Sequence, residues 1–187
     1  TKVFNKNYER VKNIPTLKRY VFASSYLIYD PSLYQSVKPK TKATMLKEKD
    51  QILPRNLIGM SKLAHEVELQ FIGEFKSTNF SIVCARIFRG YGKNSRDIIS
   101  RWIRALLKKE KITIYNPEGI FDYIYASDSA EGLIQITNKS KLTGIINLGT
   151  GNGRAVKDII SILRLYFPKM NAILENPKIL YEASEAD

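Results

Sequence analysis

Short apolar runs alternate with longer amphipathic ones along most of the chain. "RYVFASS" (19–25) is an apolar, β-favouring run closed by small residues, the pattern of a buried parallel strand, and a polar loop follows it. From Ser61, apolar Leu63, Val67 and Phe71 recur four apart with Glu66, Glu68 and Glu74 between them, which predicts an amphipathic helix over about Ile58 to Phe75. "FSIVCAR" (80–86) is the next strand. In "RDIISRWIRALLKKEK", Ile98, Ile99, Trp102, Ile103, Leu106 and Leu107 share one stripe and Arg101, Arg104 and Lys108 lie off it, an amphipathic helix with a basic back. "KITIY" (111–115) and "DYIYA" (122–126) predict strands, "SDSAEGLIQIT" a helix, "GIINLG" (144–149) a strand and "AVKDIISILRLYF" a final helix. No internal repeat or low-complexity tract interrupts the series. Strand and helix alternating at this spacing predict an α/β fold, a parallel sheet with helices on both faces.

Ligands of such sheets meet the carboxyl ends of the strands. That rule selects Ser24 and Ser25, which end one strand, Arg86, which ends the next and opens "IFRGYG", and the loop "LGTGNGR" after the strand at 144–149. Gly149, Gly151 and Gly153 sit where a phosphate-cradling turn would lie. The third glycine of a dinucleotide fingerprint would fall on Arg154, and too little chain follows for the second half of such a unit. A tight strand-to-helix turn is the expected reading.

Composition narrows the class. At 187 residues, 44% hydrophobic and 11% aromatic, the chain can bury one core. Cys84 is the only cysteine, so no intrachain disulfide forms, and a reducing, cytoplasmic setting is expected; inside a strand it reads as a small buried hydrophobe. No apolar run reaches the roughly 20 residues of a membrane span, and "TKVFNKNYER" lacks a signal peptide's apolar core. The formal charge of +12 would attract polyanions or phosphorylated small molecules alike. Much of it lies in stretches such as "KPKTKATMLKEKD", expected to be a solvated loop. His65 is the only histidine, which excludes intrachain histidine metal clusters and Ser-His-Asp triads; mid-helix, it reads as structural.

The order of five segments carries a resemblance. "KRYVFASSYLIYD", "PRNLIGMSKLAHE", "IVCARIFRGYG", "ITIYNPEGIFDYIYASD" and "IINLGTGNGRAVKDII", over about residues 17–165, resemble the extended short-chain dehydrogenase/reductases, the NAD-dependent sugar-nucleotide epimerases and dehydratases. The resemblance implies a Rossmann-type sheet, of which residues 1–92 and 126–149 are part, and part of a smaller substrate-binding domain in 93–125 and 150–187. It implies NAD or NADP as cofactor, a nucleotide sugar as substrate, and a homodimer paired through the helix at 58–75 and its neighbour. The family's catalytic set is a Ser or Thr, a Tyr, and a Lys four residues after that Tyr. Positions i and i+4 share a helix face, so the ammonium lowers the phenol's pKa from about 10 and also holds the nicotinamide ribose.

Carried over by residue, the Ser falls on Ser25 and the Lys on Lys62, with Ser24 and Phe88 beside the cofactor and Tyr26 and Arg89 beside the substrate. The Tyr falls on Ile58, which has no proton to exchange. Arg89 stands where the family has Asn, and Phe121 where it has the Arg preceding "DYIY"; both slots normally touch substrate phosphates, so Arg89 is expected to supply the charge Phe121 removed. Tyr26 and Tyr29 flank the site and are the candidates to replace the lost phenol, against a packing role. The family's glycine-rich phosphate loop has no counterpart here, and an open strand edge invites aggregation, so a piece of a longer protein is expected. Two functions follow: an epimerase or dehydratase with altered chemistry, or a catalytically silent relative binding nucleotide or RNA. No interleaved aromatics or groove-reading motif favours nucleic acid.

Overall fold

The computed structural model describes residues 14–75, 80–139, 141–175 and 180–187, which form two compact units. The first comprises residues up to 30, 48–87 and 130–148; the second comprises 31–47, 88–129 and 149–187. Residues 31–47, read from the sequence with the nucleotide-binding part, cluster with the second unit.

In the first unit, the strands Arg19–Ser25, Ser81–Ile87 and Gly144–Leu148 run parallel, with Ser81–Ile87 in the middle. Alternation divides the middle strand between two faces. Val83 and Ala85 pack with Ile136 of the Ala126–Asn138 helix, while Arg86, pointing the other way, meets Glu66 of the Leu57–Phe75 helix. Helices thus cover both faces, as alternation of strand and helix predicts. The Leu57–Phe75 helix begins hard against the 26–28 turn: a Cβ on Gly59 would stand 2.4 Å from the Leu27 carbonyl oxygen, so only glycine admits this approach.

One expectation fails here. The amphipathic reading turns Leu63, Val67 and Phe71 toward the sheet, yet Val67 and Phe71 are 56% and 52% exposed and Glu66 is 1% exposed. Glu66 faces the sheet instead and meets Arg86 there. His65, as expected, is structural: its Nδ1 lies 2.6 Å from the Ser61 carbonyl and its ring stacks on Phe22.

The second unit has a core of Trp102 and Leu106 from the Ile98–Leu107 helix, Ile112 and Ile114, and Val156, Ile160 and Leu163 from the Val156–Tyr166 helix. Leu107, expected on the buried stripe, is 68% exposed, because the stripe's centre is Trp102, whose indole N–H donates to the Thr113 carbonyl at 3.0 Å. Ile112–Tyr115 pairs in parallel with Ala172–Glu175, and Arg89–Tyr91 with Tyr123–Tyr125. A five-stranded sheet is organised around Tyr181–Ala186, which pairs with Ile120–Phe121, Gln35–Ser36 and Thr44–Leu46. The lysine-rich stretch is therefore only partly a solvated loop: Lys38, Lys42, Lys47 and Lys49 are exposed, but Thr44–Leu46 is a strand and Leu46 is fully buried. Among the described residues no helix is long and apolar enough to cross a membrane.

Candidate functional site

The strand register lines up Ser24, Arg86 and Asn147 in one row across the carboxyl edge of the three-stranded sheet. Facing side chains in one row lie on one side of a parallel sheet, here the side covered by the Leu57–Phe75 helix. Arg86 is wholly buried and forked onto Glu66: Nε donates to Oε1 at 3.1 Å and Nη2 to Oε2 at 2.7 Å. Its Nη1 donates to the Glu48 carbonyl at 3.3 Å, and its guanidinium stacks 4.8 Å over the Tyr29 ring. The Tyr29 hydroxyl donates to Asn147 Oδ1 at 2.7 Å, and the Asn147 amide donates to Glu48 Oε1 at 2.8 Å. Desolvation works against the Arg86 charge, but the hydrogen bonds it donates to Glu66 and Tyr29 and the field of those groups outweigh it and raise its pKa.

Lys62 stands one turn before Glu66 on the same helix face. Its Nζ donates to the Ala23 carbonyl at 2.7 Å and lies 5.0 Å from the Phe22 ring centroid. Ser25 Oγ accepts from the Leu27 amide at 3.3 Å, capping the 26–28 turn, which leaves its O–H free to donate. Ser24 Oγ is buried with no hydrogen-bond partner among the described residues. Ile58, a further turn before Lys62, is 60% exposed. Tyr26 and Tyr29 are 5% and 0% exposed, and burial pushes the Tyr29 phenol above its usual 10.0, against the pull of Arg86 and Asn147.

The first unit thus holds Ser24, Ser25, Tyr26 and Lys62, and the second holds Phe88 and Arg89. Phe88 is buried. Arg89 is half-buried, its guanidinium carbon 4.0 Å from the Phe121 ring centroid and its backbone paired in register with Tyr123. Phe121 is the stacking platform for this guanidinium.

Sequence reasoning missed three polar residues, Glu66, Asn147 and Asp122. A signal existed for the first: an arginine inside a buried strand demands a carboxylate, and Glu66 sits four residues after Lys62. Asp122, 1% exposed, settles the glycine loop. Its carboxylate accepts from the Thr150 amide at 2.9 Å, the Thr150 hydroxyl at 2.6 Å, the Gly151 amide at 2.9 Å and the Ala186 amide at 3.1 Å. A Cβ on Gly149 would come 2.5 Å from Asp122 Oδ2. The amides that could cradle a phosphate are turned onto a side chain, so this is the tight turn the spacing predicts. Nowhere among the described residues do three or more His, Cys, Asp or Glu gather as a metal site.

The model of the NAD dependent epimerase/dehydratase family matches residues 9–149. No curated protein sequence matches the chain. Among solved structures, UDP-N-acetylglucosamine 4-epimerase from Methanobrevibacter ruminantium M1, in complex with UDP-N-acetylmuramic acid, is 25% identical with a TM-score of 0.77, the match covering 100% of this chain and 59% of that one. MoeE5 in complex with UDP-glucuronic acid and NAD is 26% identical with a TM-score of 0.72, over 91% and 56% of the two chains. UDP-glucuronic acid 4-epimerase from Bacillus cereus in complex with NAD, 24% identical with a TM-score of 0.78 over 99% and 57%, shows likeness of fold. The chain spans less than two thirds of the length of these relatives.

Proposed function

The chain belongs to the NAD dependent epimerase/dehydratase family, and from that premise we propose that it is the part of a nucleotide-sugar epimerase or dehydratase that lines the reaction side of the cofactor, with its proton chemistry altered or lost at Ile58. The observation that carries this reading is the convergence of Lys62, Ser25 and the unpartnered Ser24 hydroxyl on the carboxyl end of one parallel strand. These groups fit the ribose and nicotinamide end of NAD or NADP. The described residues include no cradle for its pyrophosphate, since the one glycine-rich turn is occupied by Asp122. The bound cofactor supplies a hydride acceptor for a sugar hydroxyl.

The chain's own residues divide the remaining work. Lys62 offers its two uncommitted N–H groups to ribose hydroxyls and keeps a positive charge beside the reacting oxygen. Ser25 donates its free O–H to the sugar oxygen and orients it. Arg89, braced on Phe121, offers its fork of N–H donors to a nucleotide diphosphate. At the position where a phenol would take the proton stands an alkyl group, and the loss of such an acid/base group costs roughly 10² to 10⁴ in rate. The exposed apolar positions Leu57, Met60, Val67 and Phe71 suit pairing with a second copy.

Titration calorimetry of this chain with NAD should give weak or no binding, since the described residues hold no cradle for the pyrophosphate. In a form of the protein that carries a glycine-rich phosphate loop, turnover of a UDP-hexose should be slow or absent, and Ile58→Tyr should raise it by about 10² or more. Undiminished turnover with Ile58 in place would sink the reading. Binding of both NAD and UDP-sugar with no gain from Ile58→Tyr would favour the silent binding relative, for which the isoleucine itself speaks.

A further inference from the structure

The Ile98–Leu107 helix ends in a backbone conformation that its residues do not favour. The Glu110 amide donates to the Ala105 carbonyl at 2.9 Å and the Lys109 amide to the Leu106 carbonyl at 3.0 Å, so Lys109 takes the left-handed position that closes the helix. Glycine is the usual residue there, because a Cβ crowds the backbone at positive φ. Lys109 has a φ of 60°, and the other non-glycine residues with positive φ among the described ones, Asn94 and Asn116, are of the type that tolerates it. Backbone strain of this kind collects at binding sites, and the Lys109 side chain borders a cavity.

That cavity lies wholly within the second unit and has a volume of about 560 Å³, within the range of small-molecule sites. Leu106, Tyr166, Phe167 and Met170 give it an apolar lining, and Lys109 and Lys169 bring two ammonium groups to it. Leu106 is buried and Phe167 and Met170 are half-buried, whereas both lysines are exposed, which sets an apolar floor beneath a basic mouth. Glu110 is the one carboxylate in the lining, and the exposed Lys108 and Lys111 add positive charge to the same turn. Among the described residues neither Lys109 nor Lys169 has its ammonium in an ion pair or side-chain hydrogen bond. At the neighbouring end of the Val156–Tyr166 helix, the Leu163 and Phe167 carbonyls accept from the Phe167 and Met170 amides, so these acceptors are already satisfied.

We propose that this cavity binds a small amphipathic phosphate ester, its apolar body on Leu106, Phe167 and Met170 and its phosphate between Lys109 and Lys169. A purely apolar ligand would leave both ammonium groups idle, and a free inorganic anion would gain little from two exposed lysines in water. An amphipathic phosphate joins the two contributions: burial of the apolar body supplies affinity, and the lysines select the charge. A concave lining suits a free molecule rather than the flat surface of a bilayer. None of these residues enters the nucleotide-sugar reaction proposed above, so the two readings fail separately.

The test is titration calorimetry of the full chain with octyl phosphate below its micellar concentration, with octanol and inorganic phosphate as controls. Octyl phosphate should bind about tenfold or more tightly than octanol, and inorganic phosphate should give no measurable binding. Lys109→Gly/Lys169→Gln should weaken octyl phosphate by about tenfold and leave octanol within about twofold. Glycine suits the left-handed position, so the urea midpoint of this variant should not fall. Lys38→Gln/Lys42→Gln removes the same charge from an exposed stretch and should leave octyl phosphate binding within about twofold. Octyl phosphate binding no tighter than octanol, an equal loss in both double variants, or no binding at all overturns the proposal. If the Lys109→Gly/Lys169→Gln variant does not fold, Leu107→Asp, at a lining position that is 68% exposed, decides in its place: it should repel the phosphate, and an unchanged affinity refutes the site.

Discussion

Cys84 shows how burial at a single position becomes a property of stability. It lies in the middle strand, and burial first, then the field of Glu66, pushes its thiol from 9.0 up to about 12, against the pull of Arg86. Tyr123, 8% exposed, is pushed from 10.0 to about 12, again chiefly by burial, with Arg89 opposing. In both cases the folded value lies above the unfolded one. The stabilisation is therefore complete below about pH 9 and is lost as pH rises through the window from about 9 to 12. The urea midpoint should fall steeply over that range, by an amount on the order of a few kcal/mol in total. Cys84→Ala combined with Tyr123→Phe should flatten the decline; an equally steep decline in that variant would show that other groups cause it.

At the scale of the element, ends are better determined than faces. Asp97 starts the Ile98–Leu107 helix as a capping residue does, its Oδ1 accepting from the Ser100 amide at 2.9 Å. Burial tends to raise its carboxyl, but hydrogen bonds from Ser100 and Ser95 prevail and hold it below 3.8. A lowered folded value gives stability that is present above the ordinary value and lost as pH falls through the folded one. Asp97→Ala should accordingly cost about 1 kcal/mol at neutral pH, measured by urea denaturation, with the difference shrinking as pH falls below 3.8. A cost that persists undiminished in acid would point to lost packing rather than a lost cap. The faces behave differently. Amphipathic spacing located the Leu57–Phe75 helix almost to the residue, but the side of it that meets the sheet carries Glu66, whose partner Arg86 lies on another element.

At the scale of the whole molecule, the exposed stripe of that helix predicts self-association. Leu57, Met60, Ala64, Val67 and Phe71 repeat as a heptad seam does, and such a seam is stable in water when a matching one covers it. Sedimentation equilibrium should find a dimer, and Phe71→Lys should shift it to monomer with little change in circular dichroism, because a lysine in the seam would be buried unpaired. A monomer before substitution would remove the second copy as the occupant of this stripe.

Local pattern determined the order of the main strands and helices, because the period of apolar residues depends only on which elements the backbone forms. That Lys62 stands at i+4 from an isoleucine is likewise a statement about spacing, and it stands wherever the helix lies. The strand Tyr181–Ala186 escaped notice, since "YEASEA" has no apolar alternation; it is a strand because three neighbours complete its hydrogen bonds. Likewise the glycine turn at 149–153 carries amides that a phosphate could accept, and only the approach of Asp122 from a distant strand commits them elsewhere. Tertiary structure made those decisions for one physical reason: a buried charge or an unpaired backbone group is costly, and its partner comes from far along the chain, where no local period can announce it.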